Sequence, residues 1–329
     1  MKGIFMCNQR VIHATLTAAV TLLLGCATPP EANHPAATRQ ADTGWQKYER
    51  TLIGGDLGTV FDVSVLRNDG HYRMWASWRP KKSLALFESP DGINWGEPVI
   101  VLGPNSTYWE EDINRPVVLR RGQMYHMWYT GQAKGQSWIG YATSDDGVSW
   151  ERQSPEPVIS PDVEWEKTSV MCPFVLWDEA QGIYRMWYSG GDQYEPDAMG
   201  YATSKDGIHW TKLAANPVFR PDTRYEWEQH KVTAGQVVLV DGWHYMFYIG
   251  FRDVDHAQIG LARSKDGVAD WERFPSNPII SPTPDGWDAD ACYKPYVVDD
   301  GGRWLLWYNG RRESLEQIGM AVFDGGRFW

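Results

Sequence analysis

Five positions that recur roughly every 60 residues along the chain carry side chains of different chemistry. They stand at the start of similar apolar runs and read Asp62, Arg115, Cys172, Gly235 and Lys294. Because the surrounding sequence repeats while these side chains vary, we interpret the positions as a ring that contacts a ligand. A carboxylate flanked by two cations can serve as a base or nucleophile, and general acid–base chemistry needs a proton donor beside it.

The candidate proton donors are carboxyl and imidazole groups slightly upstream of the ring. A carboxyl group beside a cation has a lowered pKa, which favours a base and disfavours an acid. Asp62 is therefore predicted to be the base or nucleophile. The acid is expected farther from the cations, and its candidates are Asp112, Glu111 and then His230. The predicted substrate contacts near the ring are Asn114, Arg115, Lys231, Asp290, Tyr293 and Lys294.

Arginines and two tryptophans extend this predicted site. Arginines follow the second strand of several repeats, at Arg79, Arg252, Arg311 and Arg312. Arginine forks bind carboxylate, sulfate or phosphate, so we expect an anionic sugar, with pairing to acids of the rim as the alternative. Trp78 and Trp138 lie outside the repeated positions, and their flat faces suit sugar rings. The alternative for Trp78 is that it caps a sheet.

The elements that must position these residues are read from two repeated motifs. Met-Trp-Tyr-x-Gly or a close variant recurs five times, and Ser-x-Asp-Gly-x-x-Trp follows it in four of the copies. Each unit therefore predicts four antiparallel strands, with a tight Asp-Gly hairpin before the last. Units of this length predict an all-β fold, a five-bladed β-propeller. In that fold the variable ring and the loops after the second strands surround one central funnel.

The predicted blades occupy the chain from residue 45 to its last residue as one domain. The fifth copy ends at Trp329, before a fourth strand, and the segment from Trp45 to Gly54 resembles the missing strand. We therefore predict that the N-terminal strand closes the last blade, which removes an exposed sheet edge. The approximate blade boundaries are 55–104, 105–161, 162–221, 222–282 and 283–329 with 45–54.

Residues that recur in every repeat are interpreted as structural. The Ser-x-Asp-Gly turns, which resemble sialidase Asp-boxes, combine backbone hydrogen bonding with a positive φ at glycine. The Trp-acid pairs that precede the first strands are also expected to be structural rather than catalytic. They are Trp109-Glu110, Trp165-Glu166, Trp227-Glu228 and Trp287-Asp288.

The N-terminus has the features of an export signal. Lys2 and Arg10 precede an apolar run that is too short to span a membrane comfortably. Residues 1–25 are predicted to be a signal peptide of the lipoprotein type, with Cys26 as the lipidated residue and 26–44 as a flexible tether. A plain secretory signal is the alternative. We expect a bacterial cell-envelope protein that is a monomer and contacts the membrane by its lipid anchor only.

Composition and cysteine positions exclude several classes. The net charge of −11 argues against a nucleic-acid partner. Cys172 and Cys292 fall in blades that are not neighbours, so a disulfide between them is not expected. The Cys and His spacing predicts no metal site, and no cofactor is expected.

The chain from residue 45 onward resembles the five-bladed propeller glycosidases, which comprise the clan of arabinanases, xylosidases and invertases together with the mannoside phosphorylases. The resemblance implies a glycoside hydrolase with three carboxylates at the first strands of blades one to three. Those places read Phe61-Asp62-Val63, Asn114-Arg115-Pro116 and Met171-Cys172-Pro173. Only Asp62 matches, and Met171 stands where the acid is usual.

The expected function is an exported hydrolase that acts on an oligo- or polysaccharide, with three alternatives of the same fold. A non-catalytic glycan-binding lipoprotein would keep the funnel and lack the acid. A phosphorylase or a transglycosidase would transfer the sugar to phosphate or to another sugar instead of to water.

Overall fold

The computed structural model describes residues 37–39, 43–68, 70–192 and 196–329, and these residues form an all-β protein. Four short 3₁₀ helices lie at Gly55–Leu57, Arg79–Lys81, Glu164–Glu166 and Glu226–Glu228. In chain order the strands are β1 (Ala37–Arg39), β2 (Gln46–Tyr48), β3 (Val60–Asn68), β4 (His71–Trp78), β5 (Ser83–Ser89), β6 (Val99–Leu102), β7 (Asp112–Arg121), β8 (Met124–Ala133), β9 (Gln136–Ser144), β10 (Glu151–Arg152), β11 (Ser169–Asp178), β12 (Ile183–Gly191), β13 (Ala198–Ser204), β14 (Trp210–Lys212), β15 (Lys231–Val240), β16 (Trp243–Phe251), β17 (Ala257–Ser264), β18 (Glu272–Arg273), β19 (Ala291–Asp299), β20 (Trp304–Arg312) and β21 (Leu315–Phe323).

Strand pairing divides the chain into five antiparallel groups of four strands, which we call repeats 1 to 5. Repeat 1 is β3-β4-β5-β6, repeat 2 is β7-β8-β9-β10 and repeat 3 is β11-β12-β13-β14. Repeat 4 is β15-β16-β17-β18. Repeat 5 is β19-β20-β21 with β2, which pairs antiparallel with β21. The first strands of consecutive repeats contact one another, and β19 also contacts β3.

Strand β1 continues repeat 5 by pairing with β2. It lies within the segment for which composition predicts a flexible tether. The predicted signal peptide (1–25), the lipidation residue Cys26 and the rest of the tether up to residue 42 lie outside the described residues. No helix of the described part of the chain is long and apolar enough to cross a membrane.

The Ser-x-Asp-Gly turns close by side-chain hydrogen bonds to their own backbone. In repeat 2, the Ser144 hydroxyl accepts from the N–H of Gly147 at 2.8 Å, and an Asp146 oxygen accepts from the N–H groups of Val148 and Ser149 at 2.7 Å each. Gly147 has a φ of 74°. This left-handed conformation favours glycine at the position.

The tryptophan of the second strand links each turn to a neighbouring repeat. Its indole N–H donates to the glycine carbonyl of a turn one repeat away, over 2.8 to 3.0 Å. The pairs are Trp75 with Gly147, Trp128 with Gly207, Trp187 with Gly267 and Trp307 with Gly92. In repeat 4 the equivalent residue is Phe247, which packs on Trp45 and Phe328 instead. The tryptophan that recurs in the second strands therefore packs between repeats.

The acids of the Trp-acid pairs are fully buried and fully paired. Each accepts a hydrogen bond from the tyrosine hydroxyl of its own second strand and pairs with a cation on the fourth strand. The tyrosine–acid–cation sets are Tyr129–Glu110–Arg152, Tyr188–Glu166–Lys212, Tyr248–Glu228–Arg273 and Tyr308–Asp288–Lys47. In repeat 5 the cation is Lys47 of β2. Strand β2 therefore serves as the fourth strand of this repeat and also supplies the cation that pairs with Asp288.

Candidate functional site

A β-bulge interrupts the first strand of every repeat at the same point, and it positions the variable ring. The ladder shifts register between Phe61 and Ser64 in repeat 1 and at the equivalent places in the other four repeats. The first bulge residue has a positive φ of 50 to 56° in each repeat. These residues are Asp62, Arg115, Cys172, Ala234 and Lys294. Such a conformation is uncommon for residues other than glycine, and it is found at functional sites.

One predicted ring residue is wrong. In repeat 4 the positive φ falls on Ala234, and Gly235 occupies the place of the proline or valine of the other repeats. Glycine is needed there for space, because a Cβ on Gly235 would lie 2.5 Å from the Met199 side chain. The predicted position is therefore one residue too late in this repeat.

A side chain of the preceding repeat holds the backbone of the bulge in repeats 1 to 4. The residue before the glycine of Met-Trp-Tyr-x-Gly accepts the bulge N–H: Ser77 from Arg115 at 2.8 Å and Thr130 from Cys172 at 3.1 Å. Across repeats 5 and 1, the Asn309 amide oxygen accepts from the N–H of Asp62 at 3.1 Å. The variable residue x of Met-Trp-Tyr-x-Gly therefore has a structural role, to accept the N–H of the next bulge, which the sequence did not indicate.

The bulges of repeats 1, 2, 3 and 5 border a cavity that encloses about 700 Å³, its open mouth included. Its charged lining consists of two carboxylates and four cations, namely Asp62, Glu316, Arg79, Arg115, Lys294 and Arg311. Its other lining residues include Phe61, Cys172, Thr233, Phe251 and Tyr293. Within the described ranges, no group of three or more His, Cys, Asp or Glu could hold a metal ion.

Asp62 lies between two cations at the inner end of this cavity, with 4% of the residue exposed. Its oxygens are 3.5 Å from Arg115 Nε and 3.7 Å from Lys294 Nζ. The Asn309 amide donates to Oδ1 at 3.2 Å, whereas Oδ2 has no hydrogen-bond partner. Burial opposes the charge of Arg115, but Asp62 and Cys172 raise the pKa of its guanidinium overall. A buried carboxylate oxygen without a hydrogen bond is costly unless a ligand satisfies it.

Glu316 is the second carboxylate of the cavity, and the sequence analysis missed it. It lies on β21, where Arg79 Nη2 is 2.8 Å from Oε2 and the hydroxyl of Tyr293 donates to Oε1. Burial and then the charge of Glu316 raise the pKa of Tyr293 well above its usual range. The aligned position at, or within one residue of, the start of each third strand is occupied by Lys82, Ser137, Asp197, Ala257 and Glu316. The rule that identified the ring, variation at constant geometry, would have found Glu316 on this strand.

None of the three predicted acids borders the cavity. Asp112 begins β7 and is half-buried, and burial raises the pKa of its carboxyl group although Arg79, Lys82 and Arg115 oppose the shift. Glu111 and His230 are exposed. The environment of Asp112 therefore favours its protonated form at a higher pH than usual.

Asn114 acts on the cavity through Arg115. Its amide oxygen accepts from Arg115 Nη1 at 2.6 Å, and its amide nitrogen donates to Gln132 Oε1 at 2.7 Å. Gln132 itself borders the cavity. Asn114 therefore holds the guanidinium in position rather than bordering the ligand space itself.

The predicted aromatic platforms are engaged in packing. The indole N–H of Trp78 donates to the carbonyl of Leu57 at 2.9 Å. Trp138 is 8% exposed and packs edge-to-face on Tyr108. Phe61 borders the cavity instead, with the Arg79 guanidinium 4.2 Å from its ring centroid.

Several predicted rim cations pair with groups outside the cavity. Arg252 is 3.1 Å from Asp253, and Arg312 donates to the carbonyl of Asp285 at 3.0 Å. The predicted rim acid Asp290 accepts a hydrogen bond from the backbone N–H of Glu313, just after β20. Lys231 begins β15 and is half-buried. Arg311 differs, since it borders the cavity and its Nε is buried without a hydrogen-bond partner.

Comparison with known proteins gives matches to a glycosyl hydrolase family, to an uncharacterized protein and to a phosphorylase. The family model of the glycosyl hydrolases family 32 N-terminal domain matches residues 65–228 and 181–324. Uncharacterized protein MT1551 of Mycobacterium tuberculosis is 28% identical over 239 residues, which cover 69% of this chain and 77% of the relative. The 1,2-beta-oligomannan phosphorylase of a Thermoanaerobacter species is 35% identical over 138 residues, 38% of this chain and 44% of that protein.

Solved structures agree on the fold. The crystal structure of a thermostable family-43 glycoside hydrolase superposes with a TM-score of 0.66 at 19% identity, covering 82% of this chain and 91% of that one. At this identity the similarity concerns the fold alone, which is that of the propeller glycosidases.

Proposed function

Because the chain belongs to the family of the glycosyl hydrolases family 32 N-terminal domain, we propose that it is a glycoside hydrolase that binds an oligo- or polysaccharide in the cavity around Asp62. The observation that carries this proposal is the state of Asp62. A bulge with a positive φ places it at the cavity floor, and its Oδ2 is buried there with no hydrogen-bond partner. Groups kept in strained and unsatisfied positions are typical of sites that a ligand completes.

The proposal includes a closed propeller with repeats 1 to 5 as its blades. Three observations support it. The first strands contact one another in cyclic order, including β19 with β3. Strand β2 pairs with β21. The indole of Trp307 in repeat 5 donates to Gly92 of repeat 1, as the equivalent tryptophans of repeats 1 to 3 do to their neighbours. A closed ring brings all five bulges around one axis.

The proposed mechanism uses two carboxyl groups, as glycoside hydrolysis normally does. Asp62 attacks the anomeric carbon or activates a water molecule. Asp112 gives a proton to the leaving oxygen, and its raised pKa supports that role. Glu316 is less suited to be the acid, because Arg79 lies 2.8 Å from its carboxylate and favours its charged form.

The charge of the cavity supports an anionic sugar as the substrate. The four cations that border it exceed its two carboxylates. Arg311 keeps a buried Nε–H without a protein acceptor, and the guanidinium of Arg115 borders the same space. Arginine forks recognise carboxylate and sulfate groups through paired hydrogen bonds. A uronic acid or a sulfated sugar would therefore supply the acceptors that these cations lack.

A specific observation favours a second candidate, a glycan-binding protein without catalysis. Arg115 approaches Asp62 to 3.5 Å, and an ion pair of this kind can occupy the carboxylate that a hydrolase would need free. The mannoside phosphorylase among the relatives adds phosphorolysis as a third candidate. The cations of the cavity suit phosphate as well as they suit an anionic sugar.

A screen of the purified protein separates these candidates. It is incubated with neutral, uronic-acid and sulfated polysaccharides, each with and without inorganic phosphate, and the products are identified by mass spectrometry. We expect new reducing ends from an acidic polysaccharide without phosphate. Sugar phosphates that form only with phosphate would establish a phosphorylase, and affinity without products would establish the binder.

Two matched variants give this screen its control. Asp62→Asn is expected to yield no product, whereas Asp145→Asn alters an exposed turn residue of repeat 2 and is expected to behave like the parent. Product formation by Asp62→Asn at the parent rate would remove Asp62 from the mechanism.

The cellular location is part of the proposal, supported by the leader sequence alone. We propose export and lipidation at Cys26, with a monomeric enzyme attached to the bacterial envelope. Labelled palmitate supplied to expressing bacteria should enter the parent and be absent from Cys26→Ser. Equal labelling of the two would exclude Cys26 as the lipidated residue.

A further inference from the structure

Cys172 is the one ring residue whose chemistry the proposed hydrolysis leaves unused. It occupies the bulge of repeat 3 with a φ of 54°, and the Thr130 hydroxyl fixes its backbone at 3.1 Å. Its residue is 7% exposed and borders the same cavity as Asp62. The ammonium group of Lys294 contacts its sulfur. The thiol therefore faces the ligand space beside a cation, which is the environment in which protein thiols react.

The surroundings of the sulfur indicate that a polar molecule is accommodated there. Asp62 Oδ2 and the hydroxyl of Thr233 both lack a hydrogen-bond partner, although their residues are only 4% and 3% exposed. Both residues border the cavity with Cys172. Unsatisfied groups this deeply buried are rare unless a ligand or water pairs with them. Lys294 Nζ contacts the sulfur and lies 3.7 Å from Asp62 Oδ1, so the thiol and the carboxylate border the same part of the cavity.

The second thiol of the described chain provides a contrast within the same molecule. Cys292 is also in the first strand of a repeat, but it is 0% exposed and borders none of the cavity around Asp62. Its sulfur is 3.3 Å from a carboxylate oxygen of Asp288, and burial raises the pKa of its thiol well above the usual range. A reagent can reach it only after local opening of the fold.

We propose that Cys172 is a covalent modification site on the floor of the cavity, open to small electrophiles and to peroxide, and that its adduct occupies the space of the ligand. With iodoacetamide the sulfur attacks the methylene carbon, an S–C bond forms, iodide leaves and the thiol proton passes to solvent. With hydrogen peroxide the sulfur takes one oxygen as sulfenic acid while the O–O bond breaks and water forms, so sulfur is oxidised and peroxide reduced.

The first test is competitive labelling of the native protein. Limiting iodoacetamide is added, samples are quenched in denaturant with a heavy-isotope form of the reagent, and mass spectrometry gives the native rate at each cysteine. Cys172 is expected to react at least about tenfold faster than Cys292, because only Cys292 needs local opening of the fold before the reagent can reach it. Equal rates, or faster labelling of Cys292, would overturn the proposal. Peroxide followed by dimedone should give the same order.

The second test asks whether the adduct occupies the ligand space, and this part rests on the proposed function. Turnover of the polysaccharide that the screen identifies is measured before and after alkylation, for the parent and for Cys172→Ser. The parent should lose turnover in proportion to labelling at Cys172, while Cys172→Ser should keep its own untreated level. A fully labelled parent with unchanged turnover would show that the adduct lies outside the ligand space. The labelling rates need no substrate, so they stand whether or not the protein is a hydrolase.

Discussion

Two kinds of buried acid occupy the first-strand region of this protein, and their surroundings differ. The acids of the Trp-acid pairs, such as Glu110 and Asp288, are fully buried, and each is paired with a tyrosine hydroxyl and a cation. Asp62 is buried almost as deeply, yet one of its oxygens has no hydrogen bond. The first arrangement recurs in four repeats and the second occurs once. Complete pairing therefore marks the acids that hold the repeats together, and incomplete pairing marks the acid that we assign to function.

Asp62→Asn is the variant with the largest expected effect, and it tests whether Asp62 differs in function from the acids of the Trp-acid pairs. The amide keeps the shape and can still accept from Asn309, but it is neither a base nor a nucleophile. We expect turnover to fall by about 1000-fold or more, as for the loss of a group that acts on the reacting atoms. Product formation from the polysaccharide returned by the screen measures this. A fall of less than tenfold would place Asp62 with the structural acids.

Glu110→Gln is the matched change in a paired acid. It removes the charge opposite Arg152, which lies 2.8 Å from the carboxylate in a region where the acid is fully buried. Breaking a buried ion pair costs about 3 kcal/mol. Urea unfolding should therefore show this loss in the free energy of unfolding. The loss should be smaller for Asp62→Asn, because the ion pairs of Asp62 with Arg115 and Lys294 are longer, at 3.5 and 3.7 Å. If the two variants unfold at the same urea concentration, the distinction between fully and incompletely hydrogen-bonded acids has no energetic basis.

Asp112 tests the acid half of the mechanism through pH. Burial raises the pKa of its carboxyl group, and an acid catalyst must be protonated to donate. Turnover should therefore fall as the pH rises through this pKa. Asp112→Asn should lose about 100-fold in turnover and the alkaline limb of the pH profile with it. An unchanged alkaline limb in the variant would assign the acid to another group.

More of the fold than of the candidate site could be predicted from the sequence. Strand periodicity and repeated turns are local properties, so Met-Trp-Tyr-x-Gly and the Asp-Gly hairpins indicated the sheets directly. The site depends on which side chains of different repeats face one cavity. Glu316 was missed because the search for variable positions did not include the third strands, and Gly235 was placed in the ring because repeat 4 was aligned one residue too late. Trp138 was chosen for its chemistry, while its burial is set by Tyr108 and the surrounding core.

The finest test concerns the side chains that hold the bulges. Ser77 accepts from the N–H of Arg115 at 2.8 Å, and Ser189 accepts from that of Ala234 at 2.9 Å. Ser77→Ala and Ser189→Ala each remove one buried acceptor, so each should lower the free energy of unfolding by about 1 kcal/mol. Only Ser77→Ala loosens a residue that faces Asp62, so it alone should also reduce turnover, by a few-fold at equal stability. Similar turnover in both variants would mean that the position of Arg115 does not depend on this bond. In repeat 4 the residue equivalent to Ser77 and Ser189 is Ile249, whose side chain cannot accept a hydrogen bond from the N–H of Lys294. The native fold therefore already lacks this bond at one bulge, and both variants are expected to remain folded.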